Sequence, residues 1–287
     1  MKKNDWYNTY RYSFYHIGNK DENEAPGEFD GKPIGQYGNT VVEDLFDLNE
    51  ENIETEAALI MNVWMVVTHF LEEAARLCKY TGEGKRELDL AAAYWIGWGQ
   101  EEGDNDSGHL LYHLSENAGM RFGKDQGGVE SNKNIILLLN RIKSEIFDAD
   151  KCPSDYENIR SLVHQIIAQM TIPLVQNLIH YMSEEKPKKI ELYALALIPH
   201  IDACDAAEYD YLHDNLVLRS YDPSNFDNIV GRLQSQYHCL RITCADVGAY
   251  KTDLVPQCND ETMPVKELAG YPFTIDVRKV RVRFEQI

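Results

Sequence analysis

The sequence predicts a mainly α protein, a duplicated antiparallel helical bundle with a small terminal β element. Three observations predict it. Long stretches repeat apolar residues at three and four positions, the period of a helix with one buried face. Segments of matching pattern recur in the same order about a hundred residues apart, which marks a repeated unit. Only the two ends alternate apolar and polar residues as strands do. The chain then divides into an N-terminal Tyr-rich strand and loop segment (1–52), helical unit one (53–150), helical unit two (151–248) and a C-terminal segment with a strand (249–287).

Taken in order, "TYRYSFYHI" alternates Tyr10, Tyr12 and Phe14 as a strand, and the Gly-, Pro- and acid-rich stretch from Gly18 to Asn39 is expected to be a loop. From Glu54 to Cys78 the apolar stripe Leu59, Val63, Val66, Phe70, Ala74 and Leu77 predicts a long helix stopped by Gly82. Helices follow at Glu87–Ile96, from about Leu110, and at Asn134–Phe147. A second long helix, Tyr156–Met182, should be kinked at Pro173, which cannot donate to the helix ladder. "IELYALALIPHI" (190–201) then echoes "LDLAAAYWIGWG" (88–99), and "FDNIVGRL" (226–233) echoes "NKNIILLL" (132–139). "VRKVRVRFEQI" alternates Val280, Val282 and Phe284 and predicts a closing strand that could pair with the first.

With 44% hydrophobic residues in a chain of 287, a substantial core can form. The formal charge of -19 argues against nucleic acid and anionic membrane, both of which need clustered Lys and Arg, and favours cations as partners. No run approaches the roughly 20 apolar residues of a membrane span, and the first residues lack the apolar region of a signal peptide. None of the six cysteines forms a C-x-x-C pair, so zinc ribbons are not indicated; disulfides and buried thiols both remain open. Asn105-Asp106-Ser107 is a glycosylation sequon if the chain is secreted.

The chemistry-bearing motif is "THFLEEAARLC". His69 lies just off the apolar stripe with Glu73 one turn along the same flank, and Glu72 sits on the other side of His69. A His and a carboxylate one turn apart can present two ligands to one metal; the alternative is a boundary histidine held by Glu73. Aligning "VVTHFL" with "QMTIPL" sets Ile172 against His69 and Gln176 against Glu73, so the second unit lacks the pair.

The stretch "IGWGQEEGDNDSGHLLYHL" crowds Glu101, Glu102, Asp104 and Asp106 before His109 and Tyr112, which are expected to face one way. It is not a calcium hand. Counting from Glu102 puts Ser107 at the glycine position and His113 at the twelfth. Counting from Asp104 puts His109 and Ser115 there. Tyr94 in the helix that precedes this stretch adds a phenol, and phenolate, carboxylate and imidazole together suit ferric iron. The G-x-S-x-G, H-E-x-x-H and G-x-x-x-x-G-K-[ST] signatures are missing, so catalysis is not expected.

"YALALIPHIDACDAAEYDYLHDNLV", "LQSQYHCLRITCADVGAY" and "ELAGYPFTIDVR" in the second half, with "YWIGWGQEEGDNDSGHLLYHL" in the first, resemble the algal iron-assimilation family that includes the phytotransferrins. The resemblance runs from about Glu54 to the C-terminus and is most specific in the Cys239–Cys244 segment. It implies an extracellular or cell-surface protein that binds ferric iron with carbonate as synergistic anion, hands it to a cell-surface uptake partner, and holds its cysteines as disulfides. Departures are the missing C-terminal anchor and signal peptide that many members carry, and His238 and Arg241 within the cysteine segment. The expected ligands are His69, Glu73, Tyr94 and His109, with Glu72 and Tyr112 in reserve. The rival expectation is a non-catalytic helical interaction scaffold without metal. A metalloenzyme is disfavoured because the Glu-x-x-His pairs of di-iron bundles are absent.

Overall fold

A computed structural model describes residues 28–250, apart from 30, 34–36, 47–52, 103, 105, 125–127, 203 and 218–219. The strands expected around Tyr12 and Val282 lie outside the described residues. Strand content within them is one small antiparallel hairpin of β1 (Glu28–Phe29) and β2 (Lys32–Pro33). Helices make up most of the remainder, as the periodicity predicts.

The stretch expected to be loop already contains the start of a helix, α1 (Tyr37–Phe46). Tyr37, Val41 and Leu45 repeat every fourth residue and are buried, and the Tyr37 hydroxyl donates to the Leu195 carbonyl at 3.1 Å. Three apolar positions beside a Gly-Pro-rich stretch are too few to stand out as a period.

α2 (Ile53–Ala57) runs through a π segment, Ala58–Val63, into α3 (Trp64–Thr81), which ends at Gly82 in the left-handed region. The π segment corrects the expected stripe. Its wider turns rotate the helix surface, so burial falls on Ile60, Met61, Trp64, Met65, Val67, Leu71, Ala75 and Cys78 as well as on the expected Val66 and Ala74. Leu59, Val63 and Phe70 become a half-buried flank. The link 82–84 then returns the chain as α4 (Lys85–Ile96) against α3. Gly84 is required there: it has φ +123°, and a Cβ would come within 2.4 Å of the Ala74 carbonyl oxygen.

α5 (Leu111–Arg121) and α6 (Glu130–Arg141), extended by a π segment at Ile142–Phe147, complete the first half. A buried polar network holds α4, α5 and α6. Asn132 donates to Glu116 Oε1 (2.8 Å) and the Tyr112 carbonyl (3.0 Å) and accepts from Trp95 Nε1 (3.0 Å). Glu116 also accepts from the Val129 N–H. Asn132→Ala therefore strands an indole N–H and weakens a buried carboxylate, and should cost about 2–4 kcal/mol in denaturant unfolding. A loss below about 0.5 kcal/mol would contradict the network's role.

The Cys78–Cys152 disulfide joins the end of α3 to the connection leading into α7 (Tyr156–Ser183). α7 is the central helix: α3, α5, α6 and α8 (Pro187–Leu197) all pack on it. It runs unbroken through Pro173. By length and hydropathy it could cross a membrane, yet 89% of its most apolar window is buried, as in a core helix. Two buried threonines that the sequence aligns behave alike: Thr68 donates to the Trp64 carbonyl and Thr171 to the Ile167 carbonyl.

After α8 come α9 (Pro199–Asp202), α10 (Ala206–Leu216), a single 3₁₀ turn at Pro223–Asn225, α11 (Phe226–Ser235), α12 (Tyr237–Leu240) and α13 (Cys244–Val247). Asp205 caps α10, and Thr243 with Asp246 forms a capping box on α13. α13 sits on α7, where Gln176 Nε2 donates to the Val247 carbonyl at 2.7 Å.

Candidate metal centre

The six residues singled out from the sequence divide among several neighbours, and two of them share one. Both oxygens of Glu73 are taken by Arg76, at 2.5 and 2.6 Å, in a forked i,i+3 pair on the α3 surface. Glu72 turns the other way, towards His164 of α7, with 3.4 Å between Oε1 and Nε2. His69 and Tyr94 both lie against Phe70, the Tyr94 ring stacked on it at 5.8 Å, so an apolar ring joins them. His109 is exposed on the connection before α5, whereas Tyr112 is buried inside that helix. The expectation that these two face one way fails because α5 begins only at Leu111.

The acidic loop is organised by neutral groups. Gln100 Nε2 donates to the carbonyls of Glu101 and Asp104, both at 2.8 Å, and the Ser107 hydroxyl accepts from the Glu101 N–H. His113 Nδ1 must be protonated, because it meets the Ser107 carbonyl at 3.1 Å, and its Nε2 accepts from Asn117. Glu101, Glu102 and Asp106 remain in solvent. Asp104 accepts from the Asp106 N–H in a local turn. These bonds are those of a stapled connector.

Among the described residues, one group of three His, Cys, Asp or Glu side chains gathers its donor atoms within 4.8 Å: Cys204, His238 and Cys239. The two sulfurs are joined as a disulfide, which lacks the thiolate charge that makes cysteine a strong ligand. Cys244 is disulfide-bonded as well, and no cysteine is free among the described residues.

A second constellation is built of oxygen donors. Glu56, at the end of α2, reaches the facing ends of α7 and α8. Its Oε1 accepts from the Tyr193 hydroxyl at 2.6 Å and from the Tyr181 hydroxyl at 3.4 Å. Its Oε2 is paired with Lys189, and each of those two side chains is 20% exposed. Burial first, and the Glu56 charge second, push the Tyr181 phenol up to about 12 and the fully buried Tyr193 phenol well above its ordinary value. The positive charge of Arg121, at the end of α5, acts in the opposite sense on both. Arg121 is itself oriented by Asn177 Oδ1 at 2.9 Å. His180 lies beside Tyr181 and meets the Tyr250 hydroxyl at 2.8 Å.

Two phenols thus converge on one carboxylate oxygen, with two cationic side chains at hand. The sequence hid this group because Glu56 lies 125 and 137 residues from the tyrosines, and no spacing motif spans such a gap. The one available signal is a carboxylate whose helix neighbours one turn away, Ile53, Leu59 and Ile60, are apolar. No protein-family model matches the chain, and neither a curated protein nor a solved structure matches it.

Proposed function

We propose that the protein binds ferric iron as cargo, with carbonate as synergistic anion, at the Glu56–Tyr181–Tyr193 group. The observation that carries this is the convergence of two phenols on one half-buried carboxylate. Phenolate and carboxylate are hard oxygen donors that match a small, highly charged cation. The environment that keeps both phenols protonated, burial beside a negative charge, is one that a trivalent cation relieves. Arg121 supplies a fixed positive charge for the anion, as guanidinium suits a planar oxyanion. Lys189 is the resident cation that iron would displace from Glu56. The family resemblance of the second half supports iron as the metal. The disulfides Cys78–Cys152 and Cys204–Cys239 support an oxidising, extracellular or cell-surface setting. In this reading the protein is a binder that passes its cargo to an uptake partner and performs no catalysis.

Binding must release a proton from each phenol. A third comes from bicarbonate when it binds as carbonate, so affinity should fall at least about a hundredfold for each pH unit of acidification. Competition against a chelator of known affinity, at neutral and mildly acid pH, measures this. An affinity unchanged across that range contradicts the assignment.

A second reading is favoured by one observation. The Lys189–Glu56 pair and the two phenol bonds already satisfy the carboxylate, so the group can act as a cross-link of α2, α7 and α8 in a metal-free interaction scaffold.

A further inference from the structure

We propose that the Cys204–Cys239 disulfide and His238 form a redox-gated site for a borderline divalent cation such as zinc, closed when oxidised and opened by a dithiol reductant. The proposal is independent of the oxygen-donor centre. It rests on the orientation of His238. Its Nδ1 lies 2.8 Å from the Ser235 carbonyl, an acceptor only, so Nδ1 is the donor there and Nε2 is the nitrogen left to serve as a ligand. That atom lies 3.3 Å from Cys239 Sγ and 3.9 Å from Cys204 Sγ. A ring fixed in this tautomer by a backbone carbonyl is how proteins prepare a histidine ligand.

The disulfide is also placed for exchange. Cys204 is exposed between α9 and α10, whereas Cys239 in α12 is 1% exposed. A dithiol's thiolate attacks Cys204 Sγ, the accessible sulfur, and the S–S bond breaks with its electron pair leaving on Cys239. The reductant's second thiolate then closes its own disulfide and releases Cys204. Two electrons pass to the protein, and two protons from the dithiol settle on the freed sulfurs or on His238 Nε2. A divalent cation displaces both protons and takes two thiolates and one imidazole. Cys₂His with one open position is a recognised zinc ligand set, and cobalt serves as its spectroscopic substitute. The backbone needs little movement, because Gln236 anchors this corner through its N–H to the Leu233 carbonyl and Asp205 caps the adjoining helix.

The test uses the full chain, reduced with a dithiol that is then removed, and titrated with Co(II). Thiol labelling followed by peptide mass measurement reports which cysteines opened. The expected result is early labelling of Cys204 and Cys239, with near-ultraviolet sulfur-to-cobalt charge transfer that is absent before reduction. His238→Gln, which leaves both cysteines in place, should weaken Co(II) at least tenfold with the same labelling. Cys204→Ser/Cys239→Ser should abolish the band while the helical circular dichroism persists. Any one of three results overturns the proposal: no band once both cysteines are labelled, a band that survives in the double-serine chain, or a His238→Gln chain that binds as tightly as the parent. Loss of the native fold on reduction overturns it too, since the site would then not outlive its opening.

Discussion

Glu56→Gln should lower ferric-iron affinity by well over a hundredfold, more than the 10–100-fold typical of residues that only support a ligand. The amide keeps the shape and an acceptor for Tyr193 but loses the charge, and it leaves Lys189 without its ion-pair partner. Tyr193→Phe should have a comparable effect, because it removes one phenolate and leaves the carboxylate. Lys189→Met separates the two readings by sign. If iron displaces the ammonium, its removal strengthens iron binding. If the group is only a cross-link, Lys189→Met lowers stability by about 1–3 kcal/mol and confers no binding. Chelator competition and urea unfolding on the three variants distinguish these outcomes, and Glu56→Gln/Lys189→Met controls for the stranded charge.

The second large effect is on stability and lies at His200. This residue is buried at the start of α9, its ring 5.3 Å from that of Trp64, and burial pushes its pKa down from 6.5 to about 4. Between those values the unfolded chain holds a proton that the folded chain refuses. Stability is therefore complete above pH 6.5 and is lost as pH falls towards 4, at about 1.4 kcal/mol per pH unit and about 3 kcal/mol in all. Asp202, pushed up to about 6 by burial and by Asp210, acts with the opposite sign and gains stability on acidification. It is only partly exposed, so it offsets much of the His200 loss, and His200→Gln is the variant that isolates the histidine. His200→Gln should flatten the difference between urea midpoints at neutral pH and near pH 4. An equally steep acid loss in the variant would show that other groups carry it.

Helices were legible wherever an apolar period ran long enough. Glu54–Cys78 and Tyr156–Met182 were expected as helices and lie within Ile53–Thr81 and Tyr156–Ser183. The buried face of the first was legible only in part: Val66 and Ala74 are buried as expected, but a π segment is a backbone event without a residue signature, and Phe70 lies on the flank. α1 was missed because its period has only three members. The ligand set expected around His69 followed from i,i+4 geometry, which cannot foresee that Arg76, one turn further, would occupy Glu73. Tyr181 and Tyr193 were two among seventeen tyrosines. What distinguishes them is a carboxylate brought from more than a hundred residues away, and that is a property of the packed helices.

The most direct measurement is a ferric-iron titration of the full chain with and without bicarbonate, following the phenolate-to-iron charge-transfer band in the visible. The expected result is a saturable one-to-one band that requires bicarbonate, is diminished in Tyr181→Phe and is lost in Tyr181→Phe/Tyr193→Phe. A chain that shows no band under either condition, or a band that persists in the double variant, contradicts iron binding at Glu56, Tyr181 and Tyr193.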